Sequence, residues 1–246
     1  MRARLDRTRS ADGDTAGARL LARDLRTPLP LHRSRTFAGY IAARTRYFDD
    51  QVVRAGQADE LQVVILGAGY DDRSLRYRRT GIRFIEVDHP DTQRDKLDRF
   101  RRLGIAAQDI TFLPVDLSDD DLASSLARAL SPCVPTLLLC EGLIPYLPAR
   151  TVESVLHQAA SCPGTQRHLA IELPIRPTTS RGRVAVRMLG VATATTGERI
   201  RTVFPTPEIA EEALDNASWR IETWLRGEQI GMPTITHDLG YVVAVS

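Results

Sequence analysis

Short apolar runs alternate with helical patterns along most of this chain, and this alternation limits the folds available to it. The run Gln62–Leu66 is rich in β-branched residues and ends at Gly67, which is typical of a buried parallel strand. Repeated units of strand and helix predict an α/β fold, a doubly wound and mostly parallel sheet with helices on both faces. Seven runs have strand character, at 62–66, 82–87, 110–115, 135–140, 168–173, 219–225 and 241–246.

The helical patterns lie before and between these runs, and they fit a single domain over residues 1–246. Helical spacing is present at 15–26, 36–55, 90–103, 120–130, 148–160 and 207–216. We expect the N-terminal helices within residues 1–55 to form a lid. The stretch 174–204 is rich in Gly, Pro and Arg, and we expect it to cap a substrate.

Composition excludes several classes of protein. No apolar run approaches the ~18–20 residues of a membrane span, and the chain stays charged through Arg26, so we predict neither a membrane protein nor a secretory signal. Three cysteines form no CxxC pair, which favours a reducing environment over a disulfide scaffold. We therefore expect a cytoplasmic protein.

The basic residues are concentrated at the N-terminus. Residues 1–46 carry eleven arginines and four aspartates, and such an arm could bind nucleic acid. Its arginines alternate with acids and lack interleaved aromatic residues, so we predict no nucleic-acid partner. Lys96 is the only lysine among 33 basic residues, a bias typical of a GC-rich genome.

The loop after the first strand carries the main signal for a ligand, because ligands of such sheets bind beyond the carboxyl ends of the strands. Gly67-Ala68-Gly69 lets the backbone turn sharply and approach a ligand. The dinucleotide fingerprint would need a third glycine at position 72, where this chain has Asp72. Asp71 and Asp72 repel phosphate, so a ligand without phosphate and with positive charge fits better, such as S-adenosylmethionine.

Acidic residues also end the next three strands. Glu86 and Asp88 lie on the same side of the second strand, and Asp88, nearer the open edge, is the better candidate for ribose hydroxyls. Asp116 could accept from the adenine amino group while Leu117 packs on the ring. Glu141 stands at the tip of a buried strand, where it needs a ligand cation or a backbone amide.

Five sequence blocks occur together in one order along the chain. They are Arg44-Thr45-Arg46-Tyr47-Phe48-Asp49-Asp50, Leu66-Gly67-Ala68-Gly69-Tyr70-Asp71, Glu86-Val87-Asp88-His89-Pro90, Val115-Asp116-Leu117 and Glu141-Gly142-Leu143…Tyr146-Leu147. In this order they resemble the leucine carboxyl methyltransferase family, which includes bacterial S-adenosylmethionine-dependent O-methyltransferases and polyketide-tailoring enzymes. The resemblance covers about residues 37–160 and implies a Rossmann-like class I methyltransferase fold with an antiparallel last strand. It also implies S-adenosylmethionine as cofactor and S-adenosylhomocysteine as product.

The resemblance further implies roles for single residues. Arg44 would bind the methionine carboxylate of the cofactor, Glu141 would lie near its ammonium group, and Asp88 would hold the ribose. Further cofactor contacts would come from Gly67 and Gly69 for the methionine moiety, and from Asp116 and Leu117 for adenine. The predicted set of cofactor-binding residues also includes Ala68, Asp71 and Glu86.

The sequence departs from the family at two places. The family usually has Thr where this chain has Asp72, which adds a negative charge near the cofactor. The family's upstream basic contact has no clear counterpart, and Arg2, Arg4 or Arg35 could serve.

Methyl transfer requires mainly that the acceptor be positioned, so we predict no catalytic residue and no metal. Of five histidines, only His89 lies beside a cofactor motif, which favours a carboxylate acceptor and a methyl ester over a hydroxyl acceptor. The expected partner is a small molecule of secondary metabolism, contacted by Tyr40, Tyr146 and Arg176. A phenol or alcohol of a polyketide-type product remains an alternative, as does a non-catalytic cofactor-binding module. A nicotinamide-dependent oxidoreductase lacks its third glycine, and the sequence carries no indication of oligomeric state.

Overall fold

Seven strands form a single sheet within the described part of the chain, with the order β3-β2-β1-β4-β5-β7-β6. The computed structural model describes residues 16–24, 35–119, 121–180, 182–184, 187, 199–233 and 236–246. The strands are β1 (Leu61–Leu66), β2 (Ile82–Asp88), β3 (Ile110–Pro114), β4 (Thr136–Cys140), β5 (Arg167–Leu173), β6 (Arg220–Arg226) and β7 (Gly240–Val245). The helices are α1 (Ala16–Asp24), α2 (Arg35–Ala55), α3 (Arg73–Arg76), α4 (Pro90–Leu103), α5 (Leu122–Ala129), α6 (Ala149–Ala160) and α7 (Pro207–Asn216).

The pairing of the strands confirms the predicted fold class. Strands β1 to β5 pair in parallel, while β7 pairs antiparallel with both β5 and β6. Parallel strands need long crossover connections, and α4, α5 and α6 lie in the connections from β2 to β3, from β3 to β4 and from β4 to β5. Between β1 and β2 the described helix is the four-residue α3, shorter than a usual crossover helix.

Two apolar clusters cover the two faces of the sheet, because alternate residues of a buried strand point in opposite directions. Val64 and Leu66 of β1 pack into a cluster with residues of α5, α6 and α7. Val63 and Ile65 pack into a second cluster, to which α2 contributes Phe48. Strands buried on both faces explain the nearly continuous apolar runs in the sequence.

Helix α4 begins and ends where the sequence predicts, because its ends carry clear signals. Pro90 occupies the first turn, where its missing N–H is not needed. Gly104 ends the helix with φ 64°, a left-handed conformation that favours glycine. Helix α5 is shorter than its predicted range 120–130, since Asp121 caps it by accepting from the Ser124 N–H.

The register aligns the carboxyl ends of four strands at one edge of the sheet. Leu66 of β1 is opposite Val87 of β2 and Cys140 of β4, and Cys140 is opposite Ile171 of β5. The next residues of these four segments therefore lie at one level, namely Gly67, Asp88, Glu141 and Glu172. The strand order changes direction between β1 and β4, and this is the position at which such sheets bind ligands.

The N-terminal lid and the cap remain predictions. Of residues 1–55 the structure describes α1 and α2, and α2 packs its apolar side against the sheet. Of the cap the structure describes 174–180, 182–184, 187 and 199–204, including a bridge between Ile175 and Phe204. Throughout the described residues, no helix combines the length and apolar character needed to cross a membrane.

The three cysteines differ in exposure, and this gives a first test of the packing. Cys133 is exposed, whereas Cys140 and Cys162 are buried free thiols. Burial raises the pKa of Cys140 well above its usual range and that of Cys162 to about 11. Because the thiolate is the reactive form, we expect a thiol reagent at pH 8 to label one cysteine of the native protein and three after denaturation.

Cys133→Ser provides the control for this labelling, since it should remove the rapid native reaction and leave two cysteines in the denatured protein. Rapid labelling of two or three cysteines in the native protein would contradict the packing of β4 and α6.

Candidate functional site

The loop after β1 turns on two glycines with left-handed backbone conformations. Gly67 has φ 62° and Gly69 has φ 46°. Between them, the Ala68 N–H donates to the Val87 carbonyl oxygen at 3.0 Å, which fixes the loop to β2. A Cβ atom on Gly67 would lie 2.8 Å from Leu143 Cδ1, in the loop after β4. The two loops that flank the change in strand order therefore meet at Gly67.

This contact predicts a larger cost for Gly67→Ala than for Gly104→Ala. Both positions have nearly the same positive φ, so an alanine at either position destabilises the protein by ~1–2 kcal/mol through its left-handed backbone conformation. At Gly104 no atom lies within 4 Å of an added Cβ, whereas Gly67 also meets Leu143. The Leu143 side chain must shift to admit the added methyl group, so urea unfolding should show Gly67→Ala as the less stable variant by ~1 kcal/mol, the low end of the usual cost of overpacking. Equal losses at the two positions would contradict this reading of the loop.

Asp88 at the end of β2 is fixed by backbone donors. Its Oδ2 accepts from the Gly69 N–H, and its Oδ1 accepts from the His89 N–H at 2.6 Å. Burial raises the pKa of Asp88, and the two N–H donors oppose this rise. An ionised carboxylate has about four acceptor positions, so Asp88 can accept further hydrogen bonds from a ligand.

Asp116 lies near Asp88, after β3, and His89 lies beside both. Asp116 Oδ1 accepts from the Ser118 N–H at 2.9 Å, and His89 Nε2 lies 3.6 Å from Asp116 Oδ2. Leu117 is partly buried against the apolar cluster of α5 and α6. The edge beyond β2 and β3 therefore combines two carboxylates with an apolar side chain, as the predicted adenosine site requires.

Glu86 has partners inside the protein. Its carboxylate accepts from Lys96 Nζ and from the Ser74 hydroxyl, and Lys96 also donates to the Asp71 carbonyl oxygen at 2.6 Å. Burial raises the pKa of Glu86. These contacts favour a structural role, in which the only lysine of the chain ties β2 and α4 to the glycine loop. A direct cofactor contact of Glu86 stays a prediction.

Arg73 is completely buried beneath the loop, and the sequence does not predict its role. It pairs with Asp71 at 2.6 Å and with both Asp49 and Glu141 at 2.7 Å. The Arg73 N–H also donates to Asp71 Oδ1 at 2.9 Å. The charge of Asp71 is therefore compensated within the protein, and Glu141 is tied to α2 and α3 through this guanidinium.

Arg76 compensates the additional charge of Asp72 in the same way. Its Nε donates to Asp72 Oδ1 at 3.0 Å, and its Nη1 and Nη2 donate to Asp49 at 2.7 and 2.9 Å. Asp72 is itself buried. The departure from the family pattern at this position is therefore matched by a buried ion pair.

Arg44 extends from α2 to the carboxyl edge between β4 and β5. Its Nε donates to Glu141 at 2.9 Å, and its Nη1 donates to the Tyr40 hydroxyl at 2.7 Å and to Glu172 at 3.3 Å. A Cβ atom on Gly142 would lie 3.1 Å from Arg44 Nη1, and Gly142 has φ 64°, a left-handed conformation that favours glycine. The structure thus brings the predicted residues Arg44, Tyr40 and Glu141 together.

Glu172 is the fourth carboxylate at this edge, and the sequence does not predict it as a site residue. It is 2% exposed and accepts from Tyr40, Tyr241, Arg44 and the Gly142 N–H. The sequence feature that indicates such a residue is a single glutamate within the otherwise largely apolar strand His168–Leu173, because a buried acid requires hydrogen-bond or ion-pair partners.

The three predicted substrate residues, Tyr40, Tyr146 and Arg176, differ in how far they are buried. Burial raises the pKa of Tyr40 beyond its usual range, and the adjacent Glu172 and Tyr146 contribute to this rise. Tyr146 is partly buried in a short 3₁₀ helix, Ile144–Tyr146. The Arg176 side chain is exposed, and its N–H donates to the Phe204 carbonyl oxygen at 2.8 Å. Arg2 and Arg4 lie outside the described residues, as does the side chain of Arg35.

Comparison with known families gives a match over residues 5–160, to a family described as leucine carboxyl methyltransferase. A Frankia alni protein, provisionally named an S-adenosylmethionine-dependent methyltransferase, is 32% identical over 80% of this chain and 68% of its own length. A similarly named Parafrankia protein is 32% identical over 81% of this chain and 62% of its own. A third, from Mycolicibacterium smegmatis, is 35% identical over 62% and 51%. The matches to these relatives thus span about half to two thirds of their length.

Solved structures show the same fold at low sequence identity. Magnesium protoporphyrin IX methyltransferase from Synechocystis, with bound S-adenosylhomocysteine, has a TM-score of 0.58 at 13% identity and covers 94% of this chain and 95% of its own. A methyltransferase provisionally assigned in Thermobifida fusca has a TM-score of 0.60 at 14% identity, covering 92% and 87%. Both similarities extend over nearly the whole chain.

Proposed function

Because this chain belongs to the leucine carboxyl methyltransferase family, we propose that it transfers the methyl group of S-adenosylmethionine to a small-molecule acceptor. The observation that carries this proposal is the carboxyl edge of the sheet. There, Asp88 and Glu141 lie at one level on either side of the turn at Gly67, and Arg44 reaches the same edge.

The side chains at this edge suit the charges of S-adenosylmethionine. The cofactor carries a sulfonium, an ammonium and one carboxylate, so it needs acids, one cation and a backbone that permits close approach. Asp88 would hold the ribose, and Asp116 with Leu117 would hold the adenine. Glu141 would face the ammonium group and Arg44 the carboxylate. Gly67, Ala68 and Gly69 would border the methionine moiety, whereas Asp71 acts through its buried pair with Arg73.

The bound cofactor supplies an activated methyl group, and the protein's own contribution is to position the reactants. Holding a nucleophile in line with the methyl group can supply ~7–11 kcal/mol of the barrier. The networks around Arg73 and Arg44 fix the loops after β1 and β4, which favours such preorganisation. We propose no catalytic residue for this step.

A carboxylate is the acceptor we favour, with a methyl ester as the product. A carboxylate is already ionised at neutral pH and needs no general base. His89, the histidine that lies beside the cofactor motifs, is directed towards Asp116 and the adenosine end of the site. Tyr40 and Tyr146 would contact the acceptor, and Arg176 would need to approach from the cap.

A hydroxyl acceptor is the second candidate, and one contact favours it. The Tyr40 hydroxyl donates to Glu172 at 2.9 Å, so a phenol paired with a carboxylate lies close to Tyr146. An acceptor hydroxyl could pass its proton to the Tyr40 oxygen while the Tyr40 proton moves to Glu172, and this relay would assist methylation of a phenol or alcohol, as in tailoring of a polyketide-type product.

Transfer of a labelled methyl group to a panel of acids and phenols tests the proposed function. We expect incorporation into a carboxylic acid, and release of the label as methanol by mild alkali would identify an ester. Alkali-stable incorporation into a phenol would instead support the second candidate. If calorimetric titration shows that the protein binds S-adenosylmethionine but no acceptor receives the methyl group, the result would favour a non-catalytic binding module. Binding of NADH without binding of S-adenosylmethionine would contradict the proposal.

A further inference from the structure

We infer that Glu172 is a positioning residue that fixes the guanidinium of Arg44 where the carboxylate of the cofactor would bind. This inference rests on the proposed function, since it assigns Arg44 to the methionine moiety. Glu172 lies on β5 at the same level as Glu141 on β4, and the sequence patterns do not select it as a cofactor-binding residue.

The hydrogen bonds of Glu172 distinguish a positioning residue from a ligand. Its Oε1 accepts from the Tyr40 hydroxyl at 2.9 Å and from the Tyr241 hydroxyl at 2.8 Å. Its Oε2 accepts from the Gly142 N–H at 3.0 Å and from Arg44 Nη1 at 3.3 Å. A carboxylate has about four acceptor positions, so these four donors use its capacity. With 2% exposure, Glu172 acts through its neighbours rather than on a ligand.

These donors come from separate parts of the fold, so Glu172 joins the elements that surround Arg44. Tyr40 and Arg44 are one turn apart on α2, Tyr241 is on β7, and Gly142 follows β4. Tyr40 also accepts from Arg44 Nη1 at 2.7 Å, which closes a triangle between the phenol, the guanidinium and the carboxylate. The guanidinium is thereby held in one plane and one direction.

Glu141 alone does not provide this constraint. It contacts Arg44 through Nε at 2.9 Å and is shared with Arg73 at 2.7 Å. Without the charge of Glu172, the Nη1 end of Arg44 would keep only the neutral Tyr40 partner. A guanidinium that adopts several directions binds a carboxylate more weakly, because binding must then fix one direction and this lowers the conformational entropy of the side chain.

Paired titrations of Glu172→Gln with two ligands test this inference. S-adenosylhomocysteine carries the amino-acid carboxylate, whereas 5′-methylthioadenosine lacks the amino acid but keeps the adenosine. We expect the dissociation constant for S-adenosylhomocysteine to rise about tenfold or more, and that for 5′-methylthioadenosine to stay within twofold. Retained binding of 5′-methylthioadenosine also shows that the variant is folded. Glu153→Gln, an exposed charge on α6, is the matched control and should change neither constant.

Each outcome of the titrations decides the matter. If the affinities for both ligands fall equally, Glu172 has a structural role and does not position Arg44. If neither affinity changes, Glu172 does not influence Arg44. Either result overturns this inference and leaves the proposed function intact. If the wild-type protein binds neither ligand, the proposed function and this inference both fail.

Discussion

Arg44→Ala should weaken the binding of S-adenosylhomocysteine by about 100-fold or more in calorimetric titration. Removing one partner of a buried charged pair typically costs ~2–5 kcal/mol, and the proposed pair here is the Arg44 guanidinium with the carboxylate of the ligand. The protein should still fold, since Glu141 keeps Arg73 and Glu172 keeps three uncharged donors after the change.

Arg46→Ala is the matched control, because Arg46 is exposed on the same helix two residues later. It should leave the affinity within twofold of the wild type.

Asp88→Ala should abolish binding in the same assay, through loss of the ribose contact. Unchanged titration curves for both Arg44→Ala and Asp88→Ala would contradict the assignment of the site.

Arg73→Met should lower the free energy of unfolding by about 3–5 kcal/mol, the usual cost of removing one partner from a buried ion pair. Methionine fills much of the space but leaves Asp49, Asp71 and Glu141 without their shared cation. Of these, Asp49 retains Arg76 and Glu141 retains Arg44, so the protein should still fold. Urea unfolding followed by circular dichroism measures the change.

Arg94→Met is the control for this stability measurement. Arg94 pairs with Asp91 at 2.8 Å on the exposed side of α4, and exposed pairs contribute only ~0–1 kcal/mol. A loss for Arg73→Met as small as that for Arg94→Met would show that the buried network does not stabilise the loop after β1.

The fold could be predicted largely from local patterns. Helix α4 has Pro90 and Gly104 at its ends, and the run Gln62–Leu66 is apolar because both faces of β1 are covered. Such signals depend on a few neighbouring residues. The short α3 was harder to predict, since its four residues are held by buried ion pairs with distant α2 rather than by apolar periodicity.

The candidate site was predictable where each residue stands directly after a strand. Asp88, Asp116 and Glu141 follow predicted strands in this way, and the register brings Asp88 and Glu141 to one level with Gly67. Arg73 and Glu172 escaped prediction. Arg73 is one of many arginines in this chain, so its residue type does not distinguish it. The role of Glu172 depends on hydrogen-bond donors that lie 30 to 132 positions away in the sequence.

The amino-acid sequence by itself determined the strand and helix order, the glycine turn and the acids at the strand ends, because these depend on periodicity and on backbone conformations that few residues allow. Only the tertiary structure decided which charges are used inside the protein. Asp71, Asp72 and Glu86 are held by the cations of Arg73, Arg76 and Lys96, whereas the Asp88 carboxylate accepts from the backbone N–H groups of Gly69 and His89. The reason is that a buried charge requires a partner, and the fold, not the order of residues along the chain, supplies that partner.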